Sequence, residues 1–207
     1  MNETFIINNS DWYDSDGNRI SAHDGYLSNF GDMFYWYGSN YKGNPDGKWG
    51  PSTAGLQNGF NVYSSKNLTD WTYEGVCLNF PSKGQYSQGT SHRPGVIYND
   101  RTGMFVMWFY YYVKFPGVML TVAVSRSPTG PFEIAGIRKS GEEHGYAQDM
   151  GIFKDDDGKA YVVYDDCSRN IRVDLLTDDY LDTTRSGVIA LTPEHEASAM
   201  IRYTAIP

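Results

Sequence analysis

Cysteine is scarce in this 207-residue chain, and its two copies, Cys77 and Cys167, lie far apart in the sequence. Their spacing matches no cysteine-based metal motif and provides no disulfide framework. We expect two buried free thiols, and the sequence leaves open a disulfide between them.

Basic residues are also few: 17 Lys and Arg stand against 25 Asp and Glu, for a formal net charge of −8. Binding to a nucleic acid backbone requires clustered Lys and Arg, so we expect no nucleic acid partner. A neutral ligand such as a sugar suits this charge better than a phosphate-rich ligand.

Long apolar runs are absent, and no window approaches the roughly 20 apolar residues of a membrane helix. The first residues, "MNETFIINNSDW", have no basic region followed by an apolar stretch, so we expect no signal peptide. The cellular location stays open between an intracellular protein and an exported protein whose signal has been removed.

Strand-like segments dominate the rest of the sequence. Aromatic residues make up 15% of the chain, and 22 glycines supply turn positions. Short runs with β-branched and aromatic residues are separated by turn sequences such as "NFGD", "NDRTG" and "SPTGP". The runs are 33–39, 59–65, 95–99, 104–113, 120–125, 151–154, 159–165 and 171–176.

An internal repeat predicts how these strands are organised. Segments beginning at Asp24, Arg93 and Asp149 each run from a polar residue through a short strand and a Gly-containing turn to a long strand. The period of about 55–70 residues is typical of a four-stranded β-propeller blade. We predict one incomplete all-β domain over 1–207. Its blades lie near 20–75, 90–135 and 146–185, and a fourth begins at 194–207.

The repeat also aligns a column of charged residues, namely Asp24, Arg93, Asp149 and Glu196. Inner strands of a propeller line its channel, so these side chains are expected to meet at one mouth. Neighbouring carboxylates raise each other's pKa and an arginine lowers it, which makes the column a candidate acid–base site. The alternative for each acid alone is a local cap on a backbone N–H.

The segments "DSDGNRISAHDGYL", "HRPGVIYN", "QDMGIFKDDDGKAYVVY" and "HEASAM" resemble glycoside hydrolase family 43. This family consists of five-bladed β-propeller glycosidases, and the exo-β-1,3-galactanase branch is the most similar. The resemblance implies an inverting hydrolase with three carboxylates. By position, Asp24 matches the general base, Glu196 the general acid, and Asp149 the residue that tunes and orients that acid.

The chain departs from this branch at three places. Asp24 stands where the branch usually has Gly, and His92 stands where it has Glu. The substrate therefore stays open among β-galactosides, α-L-arabinosides and β-xylosides of plant-type saccharides. The rest of blade four and all of blade five are missing, so we expect a fragment of marginal stability from a longer product of ~290–320 residues.

Five further residues are candidates for contact with the sugar: His23, His92, Arg93, Trp36 and Trp108. Aromatic rings can stack on sugar rings, although core packing between blades is the alternative for both tryptophans. The segment "DDDG" at 155–158 lacks the later ligands of a calcium loop, and we predict a hairpin turn there. No metal or cofactor is expected, although some relatives carry a structural calcium ion.

Two other functions stay open. The first is a catalytically silent or truncated propeller that binds carbohydrate without cleaving it. The second is a propeller that serves as a protein-interaction platform, which only the architecture favours, and a fold does not assign a function.

Overall fold

The computed structural model describes residues 6, 10–40, 59–80, 91–112, 118–140, 146–192, 194–195 and 198–202. Within these ranges the regular structure is entirely β, which confirms the predicted fold class. The same residues contain no helix with the length and apolar character needed to cross a membrane.

Twelve strands lie in the described part of the chain. Their bounds are β1 His23–Phe30, β2 Met33–Ser39, β3 Phe60–Ser65, β4 Thr72–Leu78, β5 Ser91–Asn99, β6 Met104–Tyr112, β7 Val118–Ser125, β8 Glu133–Arg138, β9 Gln148–Lys154, β10 Ala160–Asp165, β11 Ile171–Leu175 and β12 Val188–Leu191.

The strands form three antiparallel sheets of four, each with its strands paired in sequence order. β1–β4 form the first sheet, β5–β8 the second and β9–β12 the third. Strands β1, β5 and β9 each begin a sheet, and β5 contacts both of the others. Successive four-stranded meanders that meet along their first strands are the blades of a propeller.

The second sheet is buried on both faces, and β6 shows why. Successive side chains of a strand point to opposite faces. Val106 and Trp108 pack in a core that includes Ile152 and Val162 of the third sheet. Met107 and Phe109 face the other way and belong to a core with residues of the first sheet. The near-continuous apolar run "MFVMWFYYY" is therefore the signature of a blade between two others.

The innermost strands fit together through a small residue. A Cβ added at Gly95 in β5 would lie 2.5 Å from Ile152 Cγ2 in β9 and 3.6 Å from the Tyr26 ring in β1. Tyr26 donates a hydrogen bond to the backbone oxygen of Ile152, and Ser28 donates one to Val96. These contacts fix how far each inner strand is shifted along its neighbour.

Several local expectations are confirmed and two are corrected. Residues 155–159 form the predicted hairpin turn, in which Gly158 N donates to Asp155 O at 3.0 Å. Cys77 is a buried free thiol as expected, but Cys167 is exposed on the turn between β10 and β11. The third sheet continues beyond residue 185, because its outermost strand β12 ends at Leu191.

We expect Gly95→Ala to lower the free energy of unfolding by about 1–3 kcal/mol, the usual cost of overpacking a core. The added methyl group would collide with Ile152 Cγ2. Urea denaturation of Gly95→Ala, Ile152→Ala and the double variant measures the coupling. Ile152→Ala removes the colliding atom, so the double variant should lose less stability than the two single losses combined. Simple additivity would contradict this packing.

Candidate active site at the channel mouth

Asp24, Arg93 and Asp149 occupy the same structural position in their three sheets. All three have left-handed backbone conformations, with φ of 52°, 54° and 44°. Each lies where the pairing of its innermost strand with the next strand shifts by a bulge. Bulges re-aim side chains, and strained backbone of this kind concentrates at functional sites. The first three residues of the charged column predicted from the repeat therefore share one backbone conformation.

Asp24 lies between two imidazoles. Its Oδ2 atom is 3.3 Å from His23 Nδ1 and 3.3 Å from His92 Nδ1. His23 precedes Asp24 on β1, whereas His92 comes from β5 of the next sheet. His92 is buried and His23 is partly exposed, so one side of the group faces solvent.

The environment of Asp24 keeps its carboxylate ionised. Partial burial favours the protonated form, but hydrogen bonding and charge interaction with His23 and His92 outweigh it. The pKa of Asp24 is therefore held well below its usual range. A carboxylate in this state accepts hydrogen bonds readily, but it is a weak base.

Asp149 is held by groups from the second sheet. Its Oδ1 atom lies 3.2 Å from Arg93 Nε, in an ion pair whose N–H is poorly aligned for a hydrogen bond. Tyr110 donates its hydroxyl to the same oxygen at 3.3 Å. Burial, and then the nearby negative charge of Asp149, raise the pKa of Tyr110 well above its usual range. Tyr110 therefore stays a neutral donor.

Tyr110 connects the two carboxylates. Its ring lies against the His92 ring, with 5.2 Å between centroids, while its hydroxyl reaches Asp149. Tyr112 packs edge-on against His92 at 6.2 Å and remains 39% exposed. Sequence reasoning missed both tyrosines. Tyr110 is the cross-strand partner of His92 near the end of β6. The register of the β5–β6 hairpin is therefore the signal that could have found it.

The two tryptophans lie outside this group. Trp108 is fully buried and its Nε1 donates to Tyr180 O at 2.8 Å. A ring enclosed in the core cannot stack on a ligand, so the prediction that Trp108 contacts substrate is corrected. Trp36 is partly buried and packs with Trp12 and Trp71, at centroid distances of 5.5 and 5.4 Å. The contacts of Trp36 are those of packing.

Glu196, the predicted general acid, lies outside the described residues. The described residues that follow it, 198–202, have no regular secondary structure but approach β9. A Cβ on Gly151, two residues after Asp149, would lie 2.9 Å from Ser198 O and 3.7 Å from Ala199 Cα. Gly95, two residues after Arg93, similarly meets the side chain of Ile152 in β9.

The other end of the inner strands has different chemistry. A cavity of about 680 Å³ lies there, lined by residues that include Phe30, Tyr98, Phe153, Arg126 and Lys154. Its described lining contains no carboxylate. The carboxylates of Asp24 and Asp149 lie at the opposite end of these strands.

The profile of glycosyl hydrolases family 43 matches residues 19–204, nearly the whole chain. The chain belongs to glycosyl hydrolases family 43. The resemblance seen in the sequence motifs is thereby confirmed. Among curated protein sequences, none matches the chain significantly.

Solved structures of family 43 have the same fold. One is a β-1,3-galactosidase in complex with galactodeoxynojirimycin, 26% identical, with a TM-score of 0.77. Others are the exo-β-1,3-galactanases of Phanerochaete chrysosporium and Clostridium thermocellum, at 28% and 29% identity and TM-scores of 0.76 and 0.74.

The matches cover most of this chain but less of the relatives. They include 90% of this chain for the galactosidase and 86% for each of the two galactanases. The chain spans 66%, 40% and 39% of those three chains, respectively.

We expect Asp24→Asn to be less stable than the wild type near neutral pH, by an amount that shrinks as the pH falls. A carboxyl whose folded pKa is depressed contributes stability above its unfolded pKa of about 4 and loses that contribution in acid. Asn tolerates the left-handed backbone at this position. Urea denaturation between pH 6 and 3 in metal-free buffer measures the difference.

Asp178→Asn is the control for this experiment, because the described contact of the Asp178 side chain is an exposed ion pair with Arg101. Exposed pairs contribute little to stability, so this variant should follow the wild type at each pH. A stability loss in Asp24→Asn that is constant across the pH range would contradict the assigned cause of the Asp24 pKa.

Proposed function

We propose that this chain forms the catalytic region of an inverting glycoside hydrolase that cleaves β-galactosides. One observation carries the proposal. In a family 43 chain, the same left-handed position of successive inner strands joins Asp24 and Asp149 into one group through His92 and Tyr110. Strained, charged positions that converge are expected where chemistry takes place.

In the proposed mechanism, Glu196 protonates the leaving oxygen while an ionised carboxylate activates water on the opposite face of the sugar. An inverting site needs one protonated and one ionised carboxyl group, separated far enough for that water. Asp24 is the proposed ionised partner, because its two imidazole contacts keep it charged.

Asp149 is proposed to tune the acid. A carboxylate close to Glu196 would raise the pKa of Glu196 toward the working pH. The close approach of Ser198 and Ala199 to Gly151 supports a location of this chain segment beside β9, which carries Asp149. Arg93 and Tyr110 fix the orientation of the Asp149 carboxylate.

The relatives favour a β-galactoside over the alternatives. The similar structures are those of a β-1,3-galactosidase and of exo-β-1,3-galactanases, one of them bound to β-1,3-galactotriose. In this chain the exposed Tyr112 ring and the partly exposed His23 offer an aromatic face and polar contacts to a neutral sugar. α-L-Arabinosides and β-xylosides are the comparison substrates.

The second candidate is a propeller that binds the same sugars without cleaving them. The low pKa of Asp24 favours it, because a strongly stabilised carboxylate is a poor proton acceptor. The two functions predict the same ligand and differ only in turnover.

We expect Glu196→Gln to slow cleavage of unactivated β-1,3-galacto-oligosaccharides by roughly 10²–10⁴-fold, the usual contribution of a general acid. Aryl galactosides with nitrophenyl leaving groups need little protonation and should be slowed far less. Initial rates on both substrate types, with arabinosides and xylosides in parallel, measure the dependence on the leaving group.

Glu194→Gln is the matched control, since it removes an exposed carboxyl from the same segment. Its rates should equal those of the wild type. Equal slowing of both substrate types by Glu196→Gln would show that Glu196 is not the acid. Sugar binding by the wild type without any hydrolysis would establish the silent-propeller alternative.

A further inference from the structure

We propose that His23, Asp24 and His92 form a binding site for a divalent transition metal ion, with zinc as its best-fitting occupant. These two histidines and one aspartate lie in the described part of the chain, and their ligand atoms are close enough together to hold an ion. These atoms all lie within 4.8 Å of one another.

The distances fit tetrahedral coordination. Zinc binds imidazole nitrogen and carboxylate oxygen at about 2.0–2.2 Å, so the ligand atoms of a tetrahedral site lie about 3.3–3.5 Å apart. Asp24 Oδ2 is 3.3 Å from both His23 Nδ1 and His92 Nδ1. Two of the three separations among the ligand atoms therefore equal those of a tetrahedral site.

Both distances are at the long end for hydrogen bonds between the imidazoles and the Asp24 carboxylate. They also equal the separations between ligand atoms in a site with ordinary zinc–ligand bond lengths, so an ion can replace these hydrogen bonds.

The ligand types favour zinc over calcium. Two imidazoles and a carboxylate suit zinc and related transition metals, whereas calcium takes six to eight oxygen ligands. His92 is fixed by burial and by the Tyr110 and Tyr112 rings, which pre-orders that ligand. The side chain of His23 is 42% exposed and can adjust to complete the triangle. Three protein ligands with a solvent-facing side leave a fourth position for water.

A bound ion would compete with catalysis. It would bind Oδ2 of Asp24, the carboxylate proposed to activate water, and zinc would then inhibit hydrolysis. This consequence depends on the proposed role of Asp24, whereas binding itself does not.

Isothermal titration of the EDTA-treated 207-residue protein with ZnCl₂ tests the site. We expect one ion per chain. His23→Gln and Asp24→Asn should each weaken binding at least about 100-fold, because loss of an outer-shell partner alone costs about 10–100-fold. Both positions tolerate the change: His23 is exposed, and Asn accepts the backbone of Asp24. Circular dichroism of each variant checks that the fold is retained.

His195→Gln is the matched control, because it removes an exposed imidazole outside the group. It should leave zinc affinity unchanged. Unchanged zinc affinity in both His23→Gln and Asp24→Asn would overturn the proposal, as would the absence of zinc binding by the wild type. Calcium chloride in place of zinc should give no heat of binding at this site, and calcium binding lost in Asp24→Asn would contradict the assigned metal class.

Discussion

The left-handed backbone at the head of each innermost strand is the constraint on which the candidate site depends. An ordinary strand alternates its side chains between the two faces of a sheet. The bulge at Asp24, Arg93 and Asp149 interrupts that alternation at the same height in three sheets. Because the inner strands are locked in register by Gly95 and Ile152, the interrupted positions come together at one end of the strands.

The second sheet connects the two carboxylates of the site, because its side chains contact both. It contributes His92 to Asp24 on one side, and Arg93 and Tyr110 to Asp149 on the other. Its opposite faces are buried against both neighbouring sheets, which gives these side chains a fixed support. Burial of polar groups is costly unless they are partnered, and in this group each carboxylate faces a cation or a hydrogen-bond donor.

The sequence predicted those features that follow from local pattern. The bounds of β2 were predicted in full, and β6 and β10 to within a residue, because their apolar and aromatic runs are bounded by clear turns. The outermost strands β4, β8 and β12 were missed, because they are short or carry glycine and charge where apolar alternation would reveal them. β5 and β9 begin earlier than predicted, because their bulged ends carry the polar residues His92, Arg93 and Asp149.

Contacts between sheets were harder to foresee. Nothing in the local sequence reveals that His92 and Asp24 meet, or that Tyr110 reaches Asp149, because these pairs depend on the packing of separate blades. Trp108 pairs with Gly95, and its counterpart in the first sheet is the buried Tyr37, which pairs with Tyr26. Trp36 lies one residue out of that register, on the other face of its sheet, and is only partly buried. Burial of an aromatic residue is decided by what covers it, and the sequence around it does not carry that information.

The measurement that tests the account most directly is the anomeric configuration of the sugar first released, followed by proton NMR during hydrolysis of a β-1,3-galacto-oligosaccharide. A site in which one carboxyl protonates the leaving oxygen and another activates water inverts the configuration. The account predicts that α-galactose is released first and then mutarotates. Release of β-galactose, or no release at all, would contradict the proposed roles of Asp24 and Glu196.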